Sequence, residues 1–99
     1  MKLARVIGNV TLAKHHPAMR GASLRLVEIV DDITRRDANP LGGDSVVAWD
    51  ICSSTEGDLV ALAEGPESAA PFRPEIKPID ASIVALIDHC EVQPSTKEP

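Results

Sequence analysis

Apolar and polar residues alternate with a period of two along much of this chain, which predicts half-buried β-strands. Over residues 1–13, Ala4, Val6, Gly8, Val10 and Leu12 share one face, and Leu3, Arg5, Ile7, Asn9 and Thr11 share the other, more mixed one. Gly8 sits mid-strand and predicts a bend, a bulge or a close backbone approach. A second strand is expected over residues 24–31, rich in Leu, Val and Ile, and a third over 45–52, with Val47, Trp49 and Ile51 on one face. A fourth is expected over 58–64 and a fifth over 83–92. The short polar gap at 53–57 predicts an antiparallel hairpin between the third and fourth strands, with Gly57 free to take a positive φ. No window carries a sustained 3.6-residue stripe.

The segments between strands are rich in turn residues. Residues 14–21 form a connection punctuated by Pro17 and Gly21. Residues 32–44 hold Arg35, Arg36, Asn39-Pro40 and Gly42-Gly43, and predict a long, mobile surface loop. Residues 65–70 suit one helical turn, with Pro66 at a first helical position and Glu67 in a first turn. Pro71, Pro74 and Pro78 then predict an extended connector that is no central strand. The expected organisation is one domain over residues 1–92 and a polar, disordered tail over 93–99.

Composition narrows the reading. The chain has 99 residues, of which 43% are hydrophobic and only 2% aromatic, so its core must be built from small aliphatic side chains. A net charge of −5 argues against a general binder of phosphate backbones. Stretches 83–87 and its neighbours are apolar on both faces. One face fills a barrel, so the second points to a subunit interface. No run reaches the roughly 18 apolar residues of a membrane-spanning helix, and the N-terminal segment is broken by Arg5, Gly8, Asn9 and Thr11, unlike a signal peptide. Cys52 and Cys90, without a secretion signal, are expected as reduced, partly buried thiols.

Candidate chemistry is sparse. His15-His16 could ligate a metal, but no Cys or carboxylate stands at ligand spacing, and a solvated loop explains the pair. Cys52, His89 and Cys90 suggest a thiol nucleophile with its base. Strand neighbours such as His89 and Cys90 point to opposite faces, however, and no oxyanion hole is legible. Asp50, Glu64 and Asp88 could pair for acid–base work, and salt bridges with Arg5 or Arg25 are the simpler reading. Gly42-Gly43 lacks the Lys-Ser/Thr of a phosphate loop. Five short strands suggest an OB-type barrel. The single-strand binding common in that fold needs stacking aromatics in a basic groove, which this chain lacks. The residues therefore assign no catalytic centre, no metal and no cofactor.

The segments Leu3-Ala4-Arg5-Val6-Ile7-Gly8-Asn9-Val10, His16-Pro17-Ala18-Met19-Arg20-Gly21 with Leu24 and Leu26-Val27, and Val47-Ala48-Trp49-Asp50 follow one another along the chain. Gly57-Asp58-Leu59-Val60, Ala63-Glu64-Gly65 and the stretch 78–88 continue the series. In the order and spacing of these segments, the chain from Met1 to about His89 resembles the EutN/CcmL family of microcompartment vertex proteins. The chain departs from the family pattern at Ser53-Ser54-Thr55, where Gly-Ala-Gly is common, and after Gly65, where an Arg is missing.

The resemblance implies an all-β, five-stranded OB-like barrel with one short helical turn, assembling as a cyclic pentamer. It implies a structural role in the bacterial cytoplasm, capping the vertices of a shell tiled by hexameric proteins, with no nucleic acid or membrane as partner. In such a ring Ser53, Ser54 and Thr55 would be the turn lining a central opening.

Overall fold

The computed structural model describes residues 1–30 and 44–91. The expected tail 93–99, and all of the expected loop 32–44 except Asp44, lie outside the described residues. Among the described residues five strands form: β1 (Lys2–Val10), β2 (Leu24–Ile29), β3 (Ser45–Asp50), β4 (Leu59–Glu64) and β5 (Ala81–Leu86). They close into a barrel in the order β1-β2-β3-β5-β4. Every neighbouring pair is antiparallel except β3 and β5.

The barrel interior is a cluster of small aliphatics: Ala4 and Val6 from β1, Val27 from β2, Ala48 from β3, Val60 and Leu62 from β4, and Ala81 and Ile83 from β5. The alternation expected for β1 holds at Ala4 and Val6. It breaks next to Gly8, where the register steps from Val6↔Val27 to Gly8↔Leu26 and leaves Ile7 as the extra residue of a bulge. A second bulge falls on β5 at Val84. Such bulges bend strands and let a short sheet close on itself.

Both aromatic residues lie outside this cluster. Val47 and Trp49 share a face as expected, and it is the outer one, while Ile51 follows the end of β3 and is exposed. Trp49 meets Phe72 at a ring separation of 4.8 Å and an interplanar angle of 54°. Phe72 ends a 3-10 helix, Gly65–Phe72, which starts at the predicted position and runs slightly longer than the expected turn. Ser68 holds this helix to the chain that follows, its hydroxyl donating to the carbonyls of Gly65 (2.7 Å) and Ile79 (3.2 Å). Lys77 reaches back over the Trp49 ring at 5.4 Å and donates to the Ala18 carbonyl at 3.0 Å. The proline-rich connector thus straps the outside of the barrel.

The expected hairpin between β3 and β4 does not form. β5 lies between them, parallel to β3 through Trp49↔Ser82 and Asp50↔Ile83, and antiparallel to β4. The linking segment instead crosses to β1, where Gly57 donates to the Val6 carbonyl at 2.8 Å and Val6 donates to Asp58 at 3.0 Å. Gly57 does take a positive φ, +95°. β5 also differs from expectation. It begins at Ala81 and ends at Leu86, so Asp88, His89 and Cys90 follow the strand.

Candidate functional site

The most ordered polar constellation closes one end of the barrel interior. Asp50, the last residue of β3, carries a fully buried carboxylate. Its Oδ1 accepts from the Cys52 amide at 2.9 Å, and its Oδ2 accepts from the Ser54 amide at 2.8 Å and the Ser54 hydroxyl at 2.9 Å. Arg25 of β2 supplies the countercharge, with Nε 3.2 Å from Oδ2. The same Nε donates to the Ser54 carbonyl at 3.1 Å, and another guanidinium nitrogen donates to Asn9 Oδ1 at 3.0 Å. A carboxylate with this many donors is compatible with burial. The sequence-level expectation of a salt bridge to Arg25 holds for Asp50. Glu64 instead pairs with Lys2 at 3.1 Å, and Asp88 is exposed.

This clamp shapes the turn that follows β3. Its side-chain bonds to residues two and four positions on fold the chain back on itself, as short Asp side chains do in turns. Ser53, between the clamped residues, is held at φ +57°. Ser54 is buried, while Ser53 and Thr55 are exposed. Thr55 is tied in turn to Asp58, whose Oδ2 accepts from its amide at 2.8 Å. Sequence reasoning named the three turn residues but missed Asp50 as their organiser. The signal was Asp50 at a strand end, followed by serines, a composition typical of side-chain-capped turns.

The remaining candidates separate. His15 and His16 are exposed. His16 Nδ1 accepts from the Ala18 amide at 3.0 Å and caps the short 3-10 helix Pro17–Met19. His15 lines a depression of about 210 Å³ with Leu12, Met19 and Leu24. Its Nδ1 lies 3.0 Å from the His16 carbonyl. Cys52 is half-buried, and its thiol donates to the Ile83 carbonyl at 3.7 Å. Burial, and secondarily the Asp50 charge, push that thiol above its ordinary pKa, the opposite of what a nucleophile needs. Cys90 is exposed rather than partly buried, and His89 faces Glu91 at 3.6 Å. Among the described residues, no three His, Cys, Asp or Glu side chains converge on a point that could hold a metal.

What the surface does carry is apolar area on strand residues and their flanks. Val47 (45% exposed), Ile51 (44%) and Leu86 (47%) project outward from the barrel or its ends. A barrel already filled with small aliphatics has no use for them inside, and exposed aliphatics on a sheet face mark association surfaces.

Comparison with known proteins agrees with this geometry. Residues 1–88 match the family described as ethanolamine utilisation protein EutN/carboxysome. The bacterial microcompartment shell vertex protein PduN of Salmonella typhimurium is 34% identical over 88 residues, covering 89% of this chain and 96% of PduN. The solved structure of CcmL from Nostoc sp. PCC 7120 is 30% identical and superposes with a TM-score of 0.78, over 94% of this chain and 93% of that one. The pentameric shell protein MSM0273 from the RMM microcompartment is 26% identical, with a TM-score of 0.78, over 96% of this chain and all of its own (100%). Closed barrel, outward aliphatics and near-complete coverage converge on one conclusion: this chain belongs to the EutN/CcmL family.

Proposed function

We infer that this chain is a structural, non-enzymatic vertex protein of a bacterial microcompartment shell, working in the cytoplasm as a homopentamer. The match over residues 1–88 to a family whose relatives are described as shell vertex proteins carries the reading. The physical logic supports it. A flat layer of hexagonal tiles cannot close, and a five-fold unit supplies the missing curvature. A cyclic ring needs a heterologous contact, in which two different faces of the same subunit meet. Outward aliphatics at Val47, Ile51 and Leu86 offer material for such faces. We further propose hexameric shell tiles as its neighbours, and the turn 53–55 as the lining of a central opening. Ser53 and Thr55 would present their hydroxyls there, while Ser54 is engaged by Asp50.

The OB-like topology raises single-strand binding as a second reading. The barrel's one Trp is packed under Phe72 and Lys77 and offers no free stacking face on the sheet. Co-expression with a hexameric shell protein, followed by electron microscopy, tests the vertex role. Closed polyhedra are expected with this chain and open sheets or tubes without it. Equal closure in both cases would count against the assignment.

A further inference from the structure

Charge is segregated along the chain. Residues 1–27 hold five Lys and Arg and no Asp or Glu, whereas the remainder holds five Lys and Arg and all fifteen Asp and Glu. Three of the five N-terminal cations are engaged within the subunit: Lys2 with Glu64, Arg25 with Asp50, and Arg5 with the Gly57 carbonyl. The other two, Lys14 and Arg20, are exposed and enter no ion pair among the described residues. Both belong to the connection between β1 and β2, one before and one after the 3-10 helix Pro17–Met19.

That connection also encloses the apolar depression. Val10, Leu12, Met19, Ala22 and Leu24 line it, with His15 on its wall. Lys14 adjoins His15 in the chain and Arg20 adjoins Met19, so the two cations flank the depression. At about 210 Å³ it is smaller than the roughly 300–1,000 Å³ pockets that enclose drug-sized molecules, and it suits one apolar side chain. It is also held in shape before anything binds. His16 Nδ1 accepts from the Ala18 amide at 3.0 Å, and Lys77 donates to the Ala18 carbonyl at 3.0 Å. A preformed hole loses little freedom when it is filled.

An apolar hole beside two cations without counter-ions selects an apolar side chain with carboxylates next to it. Nucleic acid fits poorly, because no aromatic ring lines the depression to stack a base. We propose that this depression docks an acidic segment of another protein, with one apolar side chain seated in the hole and neighbouring Asp or Glu residues meeting Lys14 and Arg20. The net charge of −5 sharpens the choice of place, since the acidic remainder of the surface repels such a segment and leaves it this connection. The proposal concerns the surface of one subunit and does not rest on the vertex reading.

NMR titration of the isotope-labelled 99-residue chain with short synthetic peptides tests this. The probe carries a central Leu between Asp and Glu residues. One control replaces that Leu by Ser, and another replaces the acids by Lys. The probe should give saturable shifts at Leu12, His15, Met19 and Ala22. Binding should weaken about tenfold or more with the Ser control, and as much again for wild-type peptide on Lys14→Glu/Arg20→Glu, and the Lys control should not bind. Both substituted residues are exposed, so circular dichroism should be unchanged. If that variant fails to fold, Leu12→Ser, at an exposed lining position, is read in the same titration and should weaken the probe equally. No saturable shift at the depression would overturn the proposal. Equal binding of the Ser control would overturn it too, by showing diffuse charge attraction only. A charge-reversed variant whose particle size in sedimentation differs from wild type would show that a second copy covers the depression, which also overturns it. The particle size of the wild type alone bears on the vertex reading, so the two fail separately.

Discussion

Replacing Asp50 should cost more stability than replacing its countercharge, and the structure says why. Asp50→Ala removes the acceptor for the Cys52 amide, the Ser54 amide and the Ser54 hydroxyl, and leaves Arg25 without its carboxylate. Each of the three donors left unpaired costs about 1–3 kcal/mol, and Arg25, with its side chain 20% exposed, loses its carboxylate partner. These costs overlap, because the groups share one carboxylate, and water entering the vacated space recovers some of the loss. The expected cost is therefore about 3–5 kcal/mol, a large share of the roughly 5–15 kcal/mol that holds a domain of this size together. Arg25→Ala leaves Asp50 with all three of those donors, and the Arg25 side chain is 20% exposed, so solvent already screens part of its charge. About 1–2 kcal/mol is expected there. Urea unfolding at one fixed protein concentration, followed by fluorescence of the single Trp49, reads both variants against wild type. Arg25→Ala proving as damaging as Asp50→Ala, or Asp50→Ala costing under about 1 kcal/mol, would refute the view that this carboxylate organises the turn.

Other consequences follow from single residues. Gly57 has φ +95° and open space where a Cβ would stand, so Gly57→Ala should cost about 1–2 kcal/mol from backbone conformation alone, measured by the same unfolding assay. The Cys52 thiol, held above its ordinary pKa by burial and by Asp50, should label with iodoacetamide more slowly than exposed Cys90 at any pH near 8, as peptide mapping would show. Because the folded state favours the protonated thiol, its contribution to stability is complete below the unfolded thiol's pKa and declines as the pH rises beyond it, so alkaline unfolding should ease in Cys52→Ser. If stability resides partly in the ring, the melting temperature should climb with protein concentration, and a flat curve over a hundredfold dilution would deny it.

Much of the barrel was legible from local pattern. Local pattern located four strands to within three residues at each end and drew the fifth six residues past its end, and Gly8, Gly57 and Pro66 each stood where a bulge, a positive φ and a helix start were required. What local pattern could not convey was which strand lies beside which. The short gap after β3 suggested a hairpin, yet β5 enters between β3 and β4, because pairing over such distances is decided by how the whole core packs rather than by the gap itself. The Asp50 clamp was hidden for a related reason. Arg25 lies on β2 and Ser54 follows β3, and only the closed sheet brings them to one carboxylate. The apolar second face was legible as surplus hydrophobicity.

Native mass spectrometry of the purified 99-residue chain tests the central claim most directly. A vertex protein should give a dominant particle of about five times the 10.6 kDa of one chain, persisting at low micromolar concentration. A monomer, or a ring of any other number, would contradict the account.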